Sequence, residues 1–164
     1  MRVLAAAERL GYTANLSAQA VARGTSSVVA LLVSDIADPY FAAIAAGVTR
    51  AAAAAGLTVS MAVTERDAAL EISHVRMLRG QRPRAIILAG SRFADERDRE
   101  TLVAELESYR ASGGSVALIS QHELPFDSVS IDNSGGSAAL ARELVRLGYR
   151  GFGILAGPAE LLTA

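Results

Sequence analysis

The sequence contains no cysteine, no tryptophan and no lysine. Without cysteine the chain can form neither disulfides nor thiolate metal sites, which is typical of proteins from a reducing compartment. Without lysine it cannot form the phosphate-binding loop whose lysine contacts a nucleotide. The two histidines, His74 and His122, are far apart in the chain. We therefore predict no metal site and no cofactor.

Long apolar runs are absent as well. No stretch of about 18 apolar residues occurs, so the sequence predicts no membrane-spanning helix. The apolar run near the N-terminus is broken by Glu8 and Arg9, too early for a signal-peptide core. Net charge is also small, at −1, and three arginines within residues 1–24 are weak evidence for nucleic-acid binding. We expect a cytoplasmic protein.

The chain does have a hydrophobic content of 51% over 164 residues, enough for one core. Apolar runs rich in β-branched residues alternate with helical patterns, which favours parallel strands joined by crossover helices. We predict an α/β fold with a six-stranded, mostly parallel sheet, helices on both faces, and two short helices before it. The predicted strands are residues 28–33, 57–63, 84–88, 115–119, 128–131 and 151–155, and the crossover helices are 39–55, 67–80, 98–112 and 134–147.

Two of these helices have clear end signals. In the first, Asp38 can cap the start, Pro39 suits the first helical position and Gly56 can end it, with Phe41, Ile44 and Val48 on one inward face. In the fourth, the predicted cap is Asn133 or Ser134, the predicted inward residues are Leu140, Leu144 and Leu147, and Gly148 follows the end.

Polar residues follow several of the predicted strands. In open parallel sheets, ligands bind beyond the carboxyl ends of the strands. The loop SDIADPYF places Asp35, Asp38, Tyr40 and Phe41 there, and two adjacent aromatics in one helical turn cannot both face inward. One of Tyr40 and Phe41 should therefore line the crevice.

Other loops extend this polar rim. Asp132 and Asn133 follow the fifth strand, where helix capping explains Asn133 as well as ligand recognition does. Ser91 follows the third strand, and Ser120, Gln121 and His122 follow the fourth. Such a rim fits neutral, hydrogen-bonding ligands.

Signals for catalysis are missing. No G-x-S-x-G motif occurs, and Ser120, His122 and Asp127 are too close in one loop to form a triad. The G-x-G of GFGILAG lies within a predicted strand, so it does not match a dinucleotide-binding turn. We expect a protein that is not an enzyme.

Two short helices are predicted before the sheet. RVLAAAERLG ends at Gly11, and LSAQAVAR follows Asn15 as a possible cap and ends at Gly24. The second has only about two turns, which is too short for an isolated helix to be stable in water. We expect a partner to order it.

The order of four segments resembles the LacI/GalR family of bacterial transcription regulators. They are AERLGYTAN, NLSAQAVARG, VVALLVSDIADPYFAAIAAGV and SVSIDNSGGSAALARELVRLGYRGFGILAGP, and together they cover nearly the whole chain. The resemblance implies a homodimeric regulator that binds operator DNA through a helix-turn-helix headpiece and a hinge helix. It also implies a two-lobed domain, like periplasmic sugar-binding proteins, that binds a small-molecule effector, a sugar or a similar polar metabolite.

The resemblance also implies a domain organisation. Residues 1–12 look like the last helix of a truncated headpiece, residues 13–26 like the hinge helix and linker, and residues 27–157 like the N-terminal lobe. Residues 158–164 look like the start of a truncated crossover to a second lobe. With the recognition helix and most of the second lobe missing, we expect no operator-specific binding and only feeble effector binding from these 164 residues.

In the hinge, the resemblance makes Val21 the side chain that wedges between base pairs, where the family usually has leucine. Ala18 and Ala22 would allow close approach to the minor groove, and Asn15 would cap the helix and contact the DNA backbone. Ala14 stands where a proline is common.

The effector-binding residues implied by the resemblance lie on the polar rim. Ser120 and Gln121 stand where many members have an Asp-Arg pair that grips sugar hydroxyls, which argues against a simple ribose-like ligand. Two alternatives stay open: a solute-binding protein of the periplasmic type, and a stand-alone flavodoxin-like domain. The full set of predicted effector-binding residues is Asp38, Tyr40, Phe41, Ser91, Ser120, Gln121 and Asp132.

Overall fold

The computed structural model describes residues 6, 9–11, 26–90, 95–120 and 124–155. No helix within these ranges has the length and apolar character needed to cross a membrane. Strands and helices alternate along them except that β5 follows β4 directly. The elements are β1 Val28–Val33, α1 Pro39–Ala54, β2 Thr58–Val63, α2 Ala68–Gln81, β3 Ala85–Ala89, α3 Glu96–Ala111, β4 Ser115–Ile119, β5 Asp127–Val129 and α4 Asn133–Arg146.

The strands form one sheet in the order β2-β1-β3-β4-β5, and every neighbouring pair is parallel. This confirms the predicted α/β fold with crossover helices on both faces. Because all strands run the same way, their carboxyl ends, and the loops that follow them, lie at one edge of the sheet.

Each face of the sheet has its own hydrophobic cluster. Alternate residues of β1 point to opposite faces, so Ala30 and Leu32 join one cluster while Leu31 and Val33 join the other. On the first face α2 and α3 cover the sheet, with Val75, Leu102 and Leu106 almost wholly buried. On the second face α1 covers it, with Phe41 buried and Ile44, Ala45 and Val48 packed beside it.

An aspartate caps the start of each of the four helices. The cap of α1 is Asp38, with Pro39 as the first helical residue, as predicted. The prediction for α4 is wrong by one or two residues: the cap is Asp132, not Asn133 or Ser134, and its Oδ1 accepts a hydrogen bond from Gly135 N at 2.7 Å. Aspartate is as good a cap as asparagine or serine, so composition alone does not separate them.

The predicted burial of the α4 leucines is wrong. No residue of this helix is buried, and Leu140 is 62% exposed and Leu147 59%. An amphipathic pattern shows that one face of a helix is apolar, but it does not say which surface covers that face. Among the described residues the buried apolar core reaches only as far along the chain as Leu124.

The predicted sixth strand is also wrong, since residues 151–155 form no strand. Ile154 and Leu155 are almost fully exposed. An apolar run becomes a strand only where a neighbouring strand supplies hydrogen-bond partners and a packed face. In the described residues no strand pairs with the outer edge of β5. The apolar run of residues 151–155 is therefore not sufficient by itself to form a strand.

Tyr109 joins α3 to the amino-terminal edge of the sheet. Its ring is 1% exposed, and its hydroxyl donates a hydrogen bond to Pro83 O at 2.6 Å. Gly114 lies so close that a Cβ there would overlap the ring. Burial raises the pKa of Tyr109 to about 12.

Gly114→Ala should lower the free energy of unfolding by about 1–3 kcal/mol, because the added methyl overpacks the Tyr109 ring. Gly47→Ala is the matched control, since Gly47 lies inside α1 and a Cβ added there would meet no neighbouring atom within 4 Å. It should raise stability by about 0.5–1 kcal/mol. Urea unfolding measures both, and a Gly114→Ala protein as stable as its parent would contradict the packing described.

Tyr109 should make the protein less stable at high pH. The unfolded chain ionises this phenol near pH 10 while the folded chain keeps it protonated up to about pH 12. Stability is therefore lost as pH rises through that window, by about 1.4 kcal/mol per pH unit. Tyr109→Phe should remove this part of the dependence, whereas Tyr149→Phe, at an exposed ring, should retain the parent profile. Denaturant unfolding at intervals from about pH 9 to about pH 12 measures this loss of stability.

Candidate functional site

The polar residues of the carboxyl edge lie in the loops after β1, β2, β4 and β5. Because β1 lies between β2 and β3, the loops after β1 and β2 are adjacent. The loop after β4 is brought to the same edge through β3. Side chains from distant parts of the chain are thereby placed together.

The loop after β1 is shaped by its own aspartates. Asp35 Oδ1 accepts a hydrogen bond from Ala37 N, and Asp38 Oδ1 accepts one from Tyr40 N, both at 2.9 Å. Each carboxylate therefore satisfies a backbone donor next to it and has a fixed position. Asp38 has this structural duty in addition to the predicted contact with a ligand.

The adjacent aromatics point in different directions, as the sequence required. Phe41 is buried in the cluster with Leu31 and Val33, and Tyr40 is 41% exposed. Their rings meet edge-on, with centroids 5.1 Å apart and planes at 78°. Tyr40 is thus the aromatic at the open edge, and Phe41 supports it from the core side.

Tyr40 connects the first loop to the loop after β4. Its hydroxyl lies 2.7 Å from Ser120 Oγ, although the two residues are 80 positions apart. Ser120 has left-handed backbone geometry, with φ of 63°, and its N–H donates to Val129 O at 2.9 Å. Non-glycine residues adopt this conformation uncommonly, and they concentrate at functional sites.

Arg66, in the loop after β2, was not among the predicted site residues. Its Nη2 lies 3.7 Å from Asp38 Oδ2 and 3.9 Å from Asp35 Oδ2. Glu65 and Arg66 both have left-handed backbone geometry, with φ of 52° and 61°. Arg66 is the third residue after the end of β2, and its aspartate partners become evident only once β2 is known to pair with β1.

A close backbone approach fixes the start of the loop after β3. Gly90 has φ of 147°, and a Cβ there would overlap Ser34 Oγ, a buried hydroxyl at the end of β1. Gly90 is therefore required where these two loops meet. The predicted site residue Ser91 follows Gly90 in the chain. Ser91 and the predicted site residue Gln121 both lie outside the described residues.

Asp132 lies at the end of the loop after β5, where it caps α4. A Cβ on Gly135 would overlap its carboxylate, so glycine is needed for this cap. The predicted hinge residues Asn15, Ala18, Val21 and Ala22 all lie outside the described residues.

In the described residues, the edge offers hydroxyls, carboxylates and the Arg66 guanidinium, which suits binding through hydrogen bonds. Ser120 Oγ contacts the Tyr40 phenol. In the part of the chain that the structure describes, no group of three or more histidine, aspartate or glutamate residues could hold a metal ion.

Comparisons with known proteins show which family this chain is similar to. Residues 26–164 match the family model described as periplasmic binding proteins and the sugar-binding domain of the LacI family. The maltose regulon regulatory protein MalI of Escherichia coli is 28% identical over 99% of this chain and 46% of its own length. The transcriptional regulator DegA of Bacillus subtilis is 25% identical over 95% of this chain and 45% of its own length.

Solved structures show the same fold. A LacI-family transcriptional regulator from Silicibacter pomeroyi superposes with a TM-score of 0.70 at 26% identity, covering 91% of this chain and 43% of that chain. The lac repressor dimer bound to operator and an anti-inducer superposes with a TM-score of 0.81 at 22% identity, covering 99% and 48%. The chain spans about half the length of the curated relatives it matches.

The family model covers residues 26–164, which is most of the chain, and the fold superposes on that of a LacI-family regulator. The chain therefore belongs to the family of periplasmic binding proteins and the sugar-binding domain of LacI-type regulators.

Proposed function

We propose that this chain is part of a DNA-binding transcription regulator of the LacI type, whose affinity for its operator is controlled by a small effector. The observation that carries the proposal is the polar carboxyl edge on a lobe of this family, where Tyr40 meets Ser120 and Asp38 meets Arg66. The effector is a sugar or a related polar metabolite. The action is binding rather than catalysis, and it takes place in the cytoplasm, where the operator DNA is.

The residues that match the family model and those that match MalI differ in range, and this difference favours a regulator over a periplasmic-type solute-binding protein. The family model begins at residue 26, whereas the similarity to MalI covers 99% of the chain. The second therefore includes the segment before the lobe, in which a regulator has its DNA-binding elements. The curated relatives are likewise named as regulators.

In the proposed effector site, Tyr40 packs on the ligand and Ser120 and Asp38 bind its hydroxyls, with Ser91, Gln121 and Asp132 completing the rim. Phe41 acts from below, because its buried ring sets the position of Tyr40. Half of the cleft is formed by this lobe, and a second lobe supplies the other half.

The domain organisation that we propose has the end of a headpiece at residues 1–12, a hinge at 13–26 and the lobe from residue 27. The predicted lobe extends to residue 157, but we infer that α4 and the segment after it lie outside its core, because none of their described residues is buried. Their exposed apolar side chains then pack on the second lobe. These include Leu140, Leu147, Tyr149, Phe152, Ile154 and Leu155.

Regulation follows from coupling between the effector cleft and the hinge. In a homodimer, paired hinge helices dock in the minor groove, with Asn15 as cap, Ala18 and Ala22 close to the groove, and Val21 as the wedge. An effector changes DNA affinity only through its different affinities for the two closure states of the lobes.

The test of the proposed function is operator binding by the complete regulator. Fluorescence anisotropy with duplexes from the promoter next to its gene should find one sequence bound in preference to a scrambled duplex, and an effector should change that affinity. Equal affinity for all duplexes at every salt concentration would contradict it.

Val21→Leu should tighten operator binding by the dimer roughly fifteenfold, because each of the two hinge helices buries one more methylene between base pairs. Val21→Ala should weaken it by roughly a hundredfold or more, since each of the two helices loses two methyl groups. Val129→Leu makes the same change at an exposed position on β5 and serves as the control. If all three variants bind the operator as the parent does, Val21 is not the wedge.

A further inference from the structure

The loops after β1 and β2 hold one arginine between two aspartates, and this group of Asp35, Arg66 and Asp38 is called the edge triad below. Arg66 Nη2 lies 3.7 Å from Asp38 Oδ2 and 3.9 Å from Asp35 Oδ2. Because β1 and β2 are paired in register along their whole length, the loops that follow them lie side by side. The pairing of β1 with β2 therefore brings the three side chains of the edge triad together.

The two carboxylates are fixed by the backbone. One oxygen of each, Oδ1, accepts a hydrogen bond from a nearby N–H, and the other, Oδ2, faces Arg66. Rotation of either carboxylate would break a hydrogen bond of 2.9 Å. Both negative charges thus stay beside the guanidinium.

Charge, rather than hydrogen bonding, holds the guanidinium. Both of its ion-pair distances exceed about 3.5 Å, the limit for an N–H···O hydrogen bond. The Arg66 side chain is 45% exposed, and those of Asp35 and Asp38 are 42% and 36% exposed. The N–H donors of Arg66 and the outer oxygens of the carboxylates consequently face the open edge together.

We propose that the edge triad selects the effector by charge: it accepts a neutral ligand with several hydroxyl groups and rejects its phosphorylated or carboxylated counterpart. This inference rests on the proposed function, in which the carboxyl edge binds the effector. A hydroxyl both donates and accepts hydrogen bonds, so it is satisfied by an arginine beside a carboxylate. The triad places the guanidinium donor of Arg66 3.7 and 3.9 Å from the carboxylate acceptors of Asp38 and Asp35.

The rejection of anions follows from the arrangement of the charges. The triad holds two carboxylates and one guanidinium, so it carries a net charge of −1. A neutral ligand does not respond to this net charge, whereas an anionic group within reach of all three side chains meets two repulsions and one attraction. A lone arginine at this position would do the opposite and attract the anion.

The described helix N-termini of this edge each already carry a carboxylate. Helix N-termini are the usual places where such folds bind phosphate or carboxylate groups. Here α1, α2, α3 and α4 all begin at this edge, and each has an aspartate side chain that accepts a backbone N–H of its first turn. These caps are Asp38, Asp67, Asp95 and Asp132.

The experiment uses the complete regulator and a panel of neutral probes with anionic counterparts. The probes are glucose with gluconate and glucose 6-phosphate, ribose with ribose 5-phosphate, and adenosine with adenosine monophosphate, each titrated by calorimetry. We expect a neutral probe to bind and its anionic counterpart to bind at least about tenfold more weakly. Tighter binding of the anionic member, or no binding of any neutral probe, would overturn the proposal.

Variants separate the triad from general effects of charge. Asp35→Asn with Asp38→Asn removes both negative charges while asparagine still caps α1, and it should strengthen binding of the anionic counterpart about tenfold. Arg66→Gln should weaken binding of the neutral probe about tenfold, because a charged donor is lost. Asp95→Asn makes the same change at a cap that has no contact with Arg66 and should do neither. The proposal fails if Arg66→Gln has no effect or if Asp95→Asn matches the double variant.

Operator binding, measured on the same preparations, distinguishes this inference from the function on which it rests. A protein that binds its operator but prefers anionic probes overturns the role of the triad and leaves the regulator. A protein that binds neutral probes but no DNA supports the triad and overturns the regulator.

Discussion

The burial of β1 on both faces is the constraint on which the rest of the structure depends. Its alternate residues enter two separate hydrophobic clusters, so helices must cover both sides of the sheet. A helix that crosses one face returns the chain to the same end of the sheet, so the strands that it joins are parallel. Parallel strands bring the polar loops after β1, β2, β4 and β5 to one edge. The position of those polar residues is thus a consequence of the burial of an apolar strand.

Aspartates give the edge both its structure and its charge. The same carboxylate of Asp38 caps α1 through one oxygen and faces Arg66 through the other. A residue with two such duties cannot be replaced for one purpose without affecting the other. In the proposed effector site, folding and recognition would therefore share Asp38, whereas Arg66 contributes no helix cap.

The sequence predicted what local patterns determine. Pro39 after Asp38, and Gly56 in left-handed geometry after α1, were visible because each has a local conformational reason. The division of Tyr40 and Phe41 between edge and core followed from their adjacency. Burial of the α4 leucines and pairing of residues 151–155 as a strand were predicted wrongly. Both segments have apolar patterns, but no described surface buries them. Arg66 escaped prediction because its partners become visible only once β1 and β2 are placed side by side.

The limit of the buried core at Leu124 has a consequence for synthesis on the ribosome. In the described residues, every side chain of both clusters precedes α4 in the chain. Domains fold as units while the chain emerges from its amino-terminal end. The lobe can thus complete its core before α4 and the following apolar segment leave the exit tunnel. A nascent chain at that stage presents the five described strands as a sheet, with Tyr40, Arg66 and Ser120 already at its carboxyl edge.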